Sequence, residues 1–193
     1  MKMKTHVKIS RDIHGYIEQK IGSQLSPFLF ALGNILPDLA IHLRIKSHTK
    51  HRSLNYLLRR IRSLRRNRHR SKLYISLKLG IITHFISDFF CYPHTEKYDG
   101  TLNEHRLYEK SLARYAKQRD SLMPNHLIIY PVLQDFESAI NELYKKYLQI
   151  EQSFENDIRY ALHTARSVTL ALAPEMVPDL LTELAPVTIY ESA

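Results

Sequence analysis

Apolar residues recur at helical spacing along most of the chain. Isoleucine occupies every fourth position from Ile9 to Ile21, a repeat that predicts an amphipathic helix over residues 5–21. The stretch 73–90 is strongly apolar, contains no proline and has one glycine. It is too long for a typical strand and predicts a buried central helix. Similar patterns predict further helices at 52–66, 103–121, 132–149, 151–173 and 176–184, with the third and fourth of these nearly continuous.

Turn-forming residues separate these periodic segments. The stretch "PFLFALGNILPDLA", residues 27–40, contains the dipeptides GN and PD, which predict a helix that stops and is followed by a turn. Residues 92–102 predict a loop. With only five glycines in 193 residues, the chain is expected to form one all-α domain over residues 1–193, a multi-helix bundle with a single core.

Composition agrees with a soluble globular protein. The hydrophobic fraction is 44% and the charged fraction 24%, both ordinary values. No apolar run approaches the roughly 20 residues that span a bilayer, and no apolar segment of a signal peptide follows the basic N-terminus. Cys91 is the only cysteine, so an internal disulfide is excluded. These features predict a cytoplasmic protein without a transmembrane segment; they do not predict its oligomeric state.

The net charge of +9 is concentrated in one basic stripe. Residues 59–72 contain no acidic residue, and such a stripe attracts phosphate groups. An anionic membrane surface and a nucleic acid are equally compatible partners; a solvated connection between two helices is the alternative interpretation. The candidate anion-binding residues are Arg59, Arg60, Arg62, Arg65, Arg66, Arg68 and Arg70.

Two pairs of polar residues have the spacing of metal ligands. His84 and Asp88 are four residues apart, as are His105 and Glu109. On a helix such residues lie on one face, one turn apart, and their tips can converge on one ion. A single pair of residues with this spacing is more often a surface salt bridge. These two pairs, however, lie on the apolar stripes of their helices. His6 shares the stripe of Ile9 and is also expected to face inward.

Several motifs resemble the zinc-dependent phospholipase C family in their order along the chain. They are "THVKI" near the start, "LGNILPDL", a histidine after it, "ITHFISDFFCYPH" and "EHRLYE". The resemblance covers His6 to Glu109, and the spacing H-x3-D-x5-H followed by H-x3-E is its most specific part. It implies an all-α fold, which this family shares with fungal single-strand nucleases, and a cluster of two or three zinc ions.

The resemblance also implies which residues bind each ion. The first zinc would be bound by Asp38, His51, His84 and Asp88, with His48 as the alternative to His51. The second zinc would be bound by His94, His105 and Glu109, and a third by His6 and a bridging oxygen of Asp88. In secreted relatives a processed N-terminal residue completes the third site. Here Met1 is five residues before His6, so the third zinc is expected to be weak, differently ligated or absent.

The implied function is hydrolysis of a phosphodiester, in which metal-bound hydroxide attacks phosphorus. Asp38 would be the catalytic residue that orients the attacking water or takes its proton. The substrate is expected to be a phospholipid or another phosphodiester. The first alternative is a zinc-dependent nuclease acting on single-stranded nucleic acid. The second is a non-catalytic helical binding module that retains the fold.

Overall fold

All regular elements that the structure describes are helices. The structure is a computed structural model and describes residues 1–22, 25–39, 48–67, 69–119, 122 and 135–172. In chain order the helices are α1 (Met3–Ile21), α2 (Pro27–Leu39), α3 (Lys50–Arg66), α4 (Lys72–Phe89), α5 (Leu102–Lys117), α6 (Phe136–Gln149) and α7 (Phe154–Leu172). A short 3-10 turn, Tyr92–His94, follows α4. The predicted all-α fold is confirmed for this part of the chain; the single domain over 1–193 stays a prediction.

Helix α4 is the centre of the structure, as its apolar sequence predicts. Nearly every side chain from Ile75 to Phe89 is buried, and α1, α2, α3 and α7 all pack against this helix. The hydroxyl of Ser71 caps its first turn. The isoleucine repeat of α1 is likewise buried, with Ile9, Ile13 and Ile17 in the core.

Helix α2 lies parallel to α4 and in close contact with it. The Ser26 backbone N–H donates to Ser76 at one end, and Asn34 donates to Thr83 further along. Between them Gly33 and Gly80 face each other, where an added Cβ would approach the opposing backbone to within 2.2–2.3 Å. The two helices can therefore lie this close only because both positions lack a side chain.

The prediction of a stop at the GN dipeptide is wrong, whereas α2 does end one residue after the PD dipeptide; the predicted turn lies outside the described residues. The helix continues through Gly33 and Asn34 and includes Pro37 in its last turn. Tertiary packing explains this, since Gly33 permits the contact with α4 and the side chain of Asn34 bonds to Thr83 rather than to its own backbone. Pro37 lacks a backbone donor, which weakens the ladder only near the helix end.

Other predicted boundaries differ by a few residues. Residues 150–153 separate α6 from α7, so these helices are not continuous. The predicted loop 92–102 contains the Tyr92–His94 turn, and the predicted helix at 176–184 lies outside the described residues. Among the helices that are described, none has the length and apolar character needed to cross a bilayer.

Candidate metal centre

The last two turns of α4 place His84 and Asp88 in the interior, as their spacing predicts. Both residues are fully buried, and His84 Nε2 lies 3.3 Å from Asp88 Oδ2. His6 of α1 is also fully buried, and its ring stacks on that of His84 with a centroid separation of 4.1 Å. The apolar stripes of two helices therefore end at the same polar cluster.

A first group of ligand atoms forms where α2 ends and α3 begins. His48 Nδ1 lies 2.7 Å from Asp88 Oδ2 and 3.2 Å from His84 Nε2. Asp38, in the last turn of α2, has Oδ1 at 3.9 Å from His84 Nε2 and 4.0 Å from His48 Nδ1. Asp38, His48 and His84 thus have the geometry of a metal-binding group.

The structure brings His48, and not the preferred His51, next to the other candidate ligands. His48 directly precedes Thr49, the N-cap residue of α3, and its ring contacts Asp88 of the cluster. His51 is the second residue of α3 and is exposed, and its Nε2 accepts a hydrogen bond from Arg52 Nε at 3.3 Å. His48 Nδ1, by contrast, lies within 3.2 Å of both Asp88 and His84, and the choice between the two histidines as ligand stays a prediction.

A second group combines the 3-10 turn with α5. Glu109 Oε1 lies 3.2 Å from His94 Nε2 and 3.1 Å from His105 Nε2. The i, i+4 spacing of His105 and Glu109 gives this convergence within α5, while His94 comes from the adjacent turn. The Thr101–Glu104 capping box fixes the start of α5. His94, His105 and Glu109 form a second set of potential ligands.

Asp88 lies between the groups and contacts both of them. Its Oδ2 faces His48 and His84, whereas Oδ1 is 3.7 Å from His94 Nδ1 and 3.3 Å from His6 Nε2. His6, His84 and Asp88 make a third potential group. The Met1 amine also donates to Asp88 and lies 3.1 Å from Glu109 Oε1. Binding of a third zinc by this group remains a prediction, and the Met1 amine lies next to the site where it would bind.

Hydrogen bonding defines the protonation of His84. Its Nδ1 lies 2.7 Å from the backbone oxygen of Asn34, and because a carbonyl only accepts, Nδ1 carries the hydrogen. Burial, together with the charge of His6, holds the pKa of His84 well below its usual range. The ring is therefore neutral, and its Nε2 lone pair faces an oxygen of Asp88 and one of Asp38. Sequence reasoning included Asn34 in a motif but missed this role of its carbonyl.

A nitrogen lone pair that faces carboxylate oxygens, as at His84, is an arrangement that fits a bound dication. Both ring nitrogens of buried His6 and Nδ1 of His94 lack a hydrogen-bond partner, an arrangement that costs free energy unless a cation is bound. Tetrahedral zinc with bonds of about 2.0–2.1 Å places its ligand atoms about 3.4 Å apart. The separations of 3.2–4.0 Å in the first group bracket that value. Nitrogen and carboxylate donors together are typical of zinc sites.

The three carboxylates of the cluster differ in environment. Burial raises the pKa of Asp88, but the Met1 amine and the nearby imidazoles outweigh it and hold the pKa well below its usual range. Burial also opposes the ionisation of Glu109, and hydrogen bonds from His105 and His94 reverse its effect and lower that pKa. The pKa of Asp38 is raised by burial and by the charge of Asp88. Asp38 is also the most accessible of the three, with 25% of its side chain exposed.

The described part of the basic stripe lies away from this cluster. Its residues 59–66 form the last turns of α3, about 15–25 Å along the helix from the end next to His48. Arg59, Arg62, Arg65, Arg66 and Arg70 are exposed, Arg60 donates to Tyr56 at 2.6 Å, and Arg68 lies outside the described residues. Anion binding by these arginines remains a prediction, and it would take place away from the ligand cluster.

Comparison with known proteins identifies one family. The model of the zinc-dependent phospholipase C family matches residues 5–154, which include every residue of the three groups. No curated protein and no solved structure gives a significant match.

Proposed function

Because the chain belongs to the zinc-dependent phospholipase C family, we propose that it is a zinc-dependent phosphodiester hydrolase acting on phospholipids. The observation that supports this most strongly is the sharing of Asp88. One fully buried carboxylate directs each oxygen at a different set of imidazoles. That arrangement suits two or three adjacent zinc ions, as needed to bind the oxygens of one phosphate group.

Zinc, when bound, would lower the pKa of a coordinated water to about 7 and offset the charge that develops on the phosphate. The chain supplies the orientation of the ligands. The Asn34 carbonyl fixes the His84 tautomer with Nε2 available, and Asp88 holds His48 at 2.7 Å. Hydrogen-bonded supports of this kind raise metal affinity, because they restrict the ligand to one orientation.

Asp38 is the residue that we assign to proton transfer. Its Oδ1 faces His48 and His84, and we assign the proton of the attacking water to the other oxygen, Oδ2. The side chain of Asp38 is 25% exposed, which lets water and substrate reach it. No nucleophilic side chain is required for this reaction.

The test combines metal analysis with hydrolysis assays. We expect two or three zinc ions per chain and release of phosphorylated head group from phosphatidylcholine vesicles. A preference for single-stranded DNA would replace the phospholipase by the nuclease alternative. One ion or none, with no hydrolysis of either substrate, would support the binding module and refute the proposal.

Two pairs of variants test the residue assignments. His48→Ala should lose metal and activity, while His51→Ala, three residues further along, should behave as the unmodified protein. Asp38→Asn should reduce kcat about 10²–10⁴-fold and retain the zinc of the second group, whereas Asp88→Asn should lose metal. The assignment of Asp88 would be wrong if its asparagine variant kept full metal content.

A further inference from the structure

Besides Asp88, a second fully buried carboxylate, Asp157, lies next to the ligand cluster but outside it. It is in the first turn of α7 and is fully buried. Its Oδ1 accepts a hydrogen bond from the Tyr147 hydroxyl at 2.6 Å. Its Oδ2 accepts two more, from the Tyr92 backbone N–H at 3.2 Å and the Tyr108 hydroxyl at 3.0 Å. Three hydrogen-bond donors offset part of the free energy that it costs to bury a carboxylate.

The first of the Oδ2 contacts fixes the turn that carries His94. Tyr92 is the first residue of the 3-10 turn, and the N-cap residue Cys91 provides no side-chain cap. An N–H at this position has no partner within its own turn. Asp157 supplies that partner from another helix, two residues before His94, and so determines where the turn lies relative to the core.

The second contact fixes the helix that carries Glu109. Tyr108 directly precedes Glu109 on α5, and its hydroxyl accepts from Gln152 at 2.6 Å while donating to Asp157. The rings of Tyr92 and Tyr108 are also in contact, with centroids 5.9 Å apart. A single carboxylate oxygen therefore connects the two segments that supply the second ligand group.

We propose that Asp157 is a positioning residue of the metal centre, which holds Tyr92 and Tyr108 so that His94 and Glu109 converge on one ion. It contacts neither ligand directly and is three residues beyond the end of the family match. The inference rests on the proposed function only to the extent that the second group binds metal. Loss of the Asp157 carboxylate should weaken metal binding by the second group and leave binding by His48 and His84 unchanged.

Cobalt titration of the full chain is the test, because Co²⁺ reports ligand number and geometry through its visible absorption. We expect Asp157→Asn to weaken binding at one site about 10–100-fold, as is typical when a support of a metal ligand is lost. The absorption of that site should also change. Tyr108→Phe, which removes one hydroxyl and keeps the ring, should show the same effect in smaller degree.

The matched control is Asp12→Asn. Asp12 is a partly buried aspartate of α1 that accepts from the Leu122 backbone N–H at 2.9 Å; it is six residues from His6 and belongs to neither segment of the second ligand group. If Asp157→Asn binds cobalt with the affinity and spectrum of the unmodified protein, the positioning role is refuted and Asp157 is merely structural. Should Asp157→Asn fail to fold, unchanged cobalt binding by Tyr108→Phe would refute it. Failure of the unmodified protein to bind cobalt would instead refute the metal centre itself.

Discussion

The contact between Gly80 and α2 offers the sharpest test of how this fold positions its site. A Cβ at Gly80 would lie 2.3 Å from the Phe30 carbonyl oxygen and 2.8 Å from the Gly33 Cα. Both obstacles are backbone atoms, which cannot rotate away as a side chain could. Gly80→Ala must therefore push α2 and α4 apart.

The size of the effect follows from the geometry. An unstrained contact needs about 3.4 Å, so the helices have to separate by about 1 Å. Overpacking of this kind costs about 1–3 kcal/mol, and the rigid backbone on both sides favours the upper end of that range. Alanine regains about 1 kcal/mol in helix propensity over glycine. The net loss in free energy of unfolding is then about 2 kcal/mol.

Urea unfolding followed by circular dichroism at 222 nm measures this loss. A change of about 2 kcal/mol lowers the urea midpoint by about 1 M at the slope expected for a chain of this size. Gly15→Ala is the matched control, because Gly15 lies inside α1 with nothing within 4 Å of its Cβ position. That variant should gain about 0.5–1 kcal/mol. If Gly80→Ala were as stable as Gly15→Ala, the close approach of α2 and α4 would be refuted.

Two further predictions concern the capping box of α5 and the buried carboxyl group of Asp157. Thr101→Ala removes the hydroxyl half of the α5 capping box and should cost about 1 kcal/mol; an unchanged urea midpoint would contradict the capping role. Burial raises the pKa of Asp157 to about 7, despite the hydrogen bonds from Tyr147, Tyr92 and Tyr108. The folded chain therefore binds more protons than the unfolded chain between the usual aspartate pKa and pH 7, and stability should fall as pH rises through this range. With a chelator present, the difference between the unmodified protein and Asp157→Asn should show this decline, on the order of 4 kcal/mol; a difference independent of pH would refute it.

Periodicity in the sequence was enough to predict most of the helices. An apolar stripe is a local property, and the isoleucines of α1 are all buried where their side chains are described. The prediction failed at the GN dipeptide of α2, which favours a turn. There the packing of Gly33 against α4 and the bond between Asn34 and Thr83 outweigh local preference, and neither partner is near in sequence.

In the candidate site, too, contacts within one helix could be predicted from the sequence, whereas contacts between distant segments could not. Pairs on one helix, such as His105 and Glu109, could be found because the helix alone brings them together. The choice between His48 and His51 depends on the direction in which α3 leaves the cluster, which the local sequence does not encode. Asp157 was missed for a related reason, since "FEND" predicts only a capping and packing segment. Its partners come from three other parts of the chain.

The two halves of the cluster are positioned by independent contacts. The approach of Gly33 to α4 places Asp38 next to His84, while Asp157 connects the segments of the second group. Damage to one contact should therefore weaken one group and spare the other, because the two share no hydrogen bond. Asp88 is the exception, since its oxygens face both groups. If the halves are separable in this way, Gly80→Ala and Asp157→Asn should each lose a different part of the metal affinity, and only Asp88→Asn should reduce both.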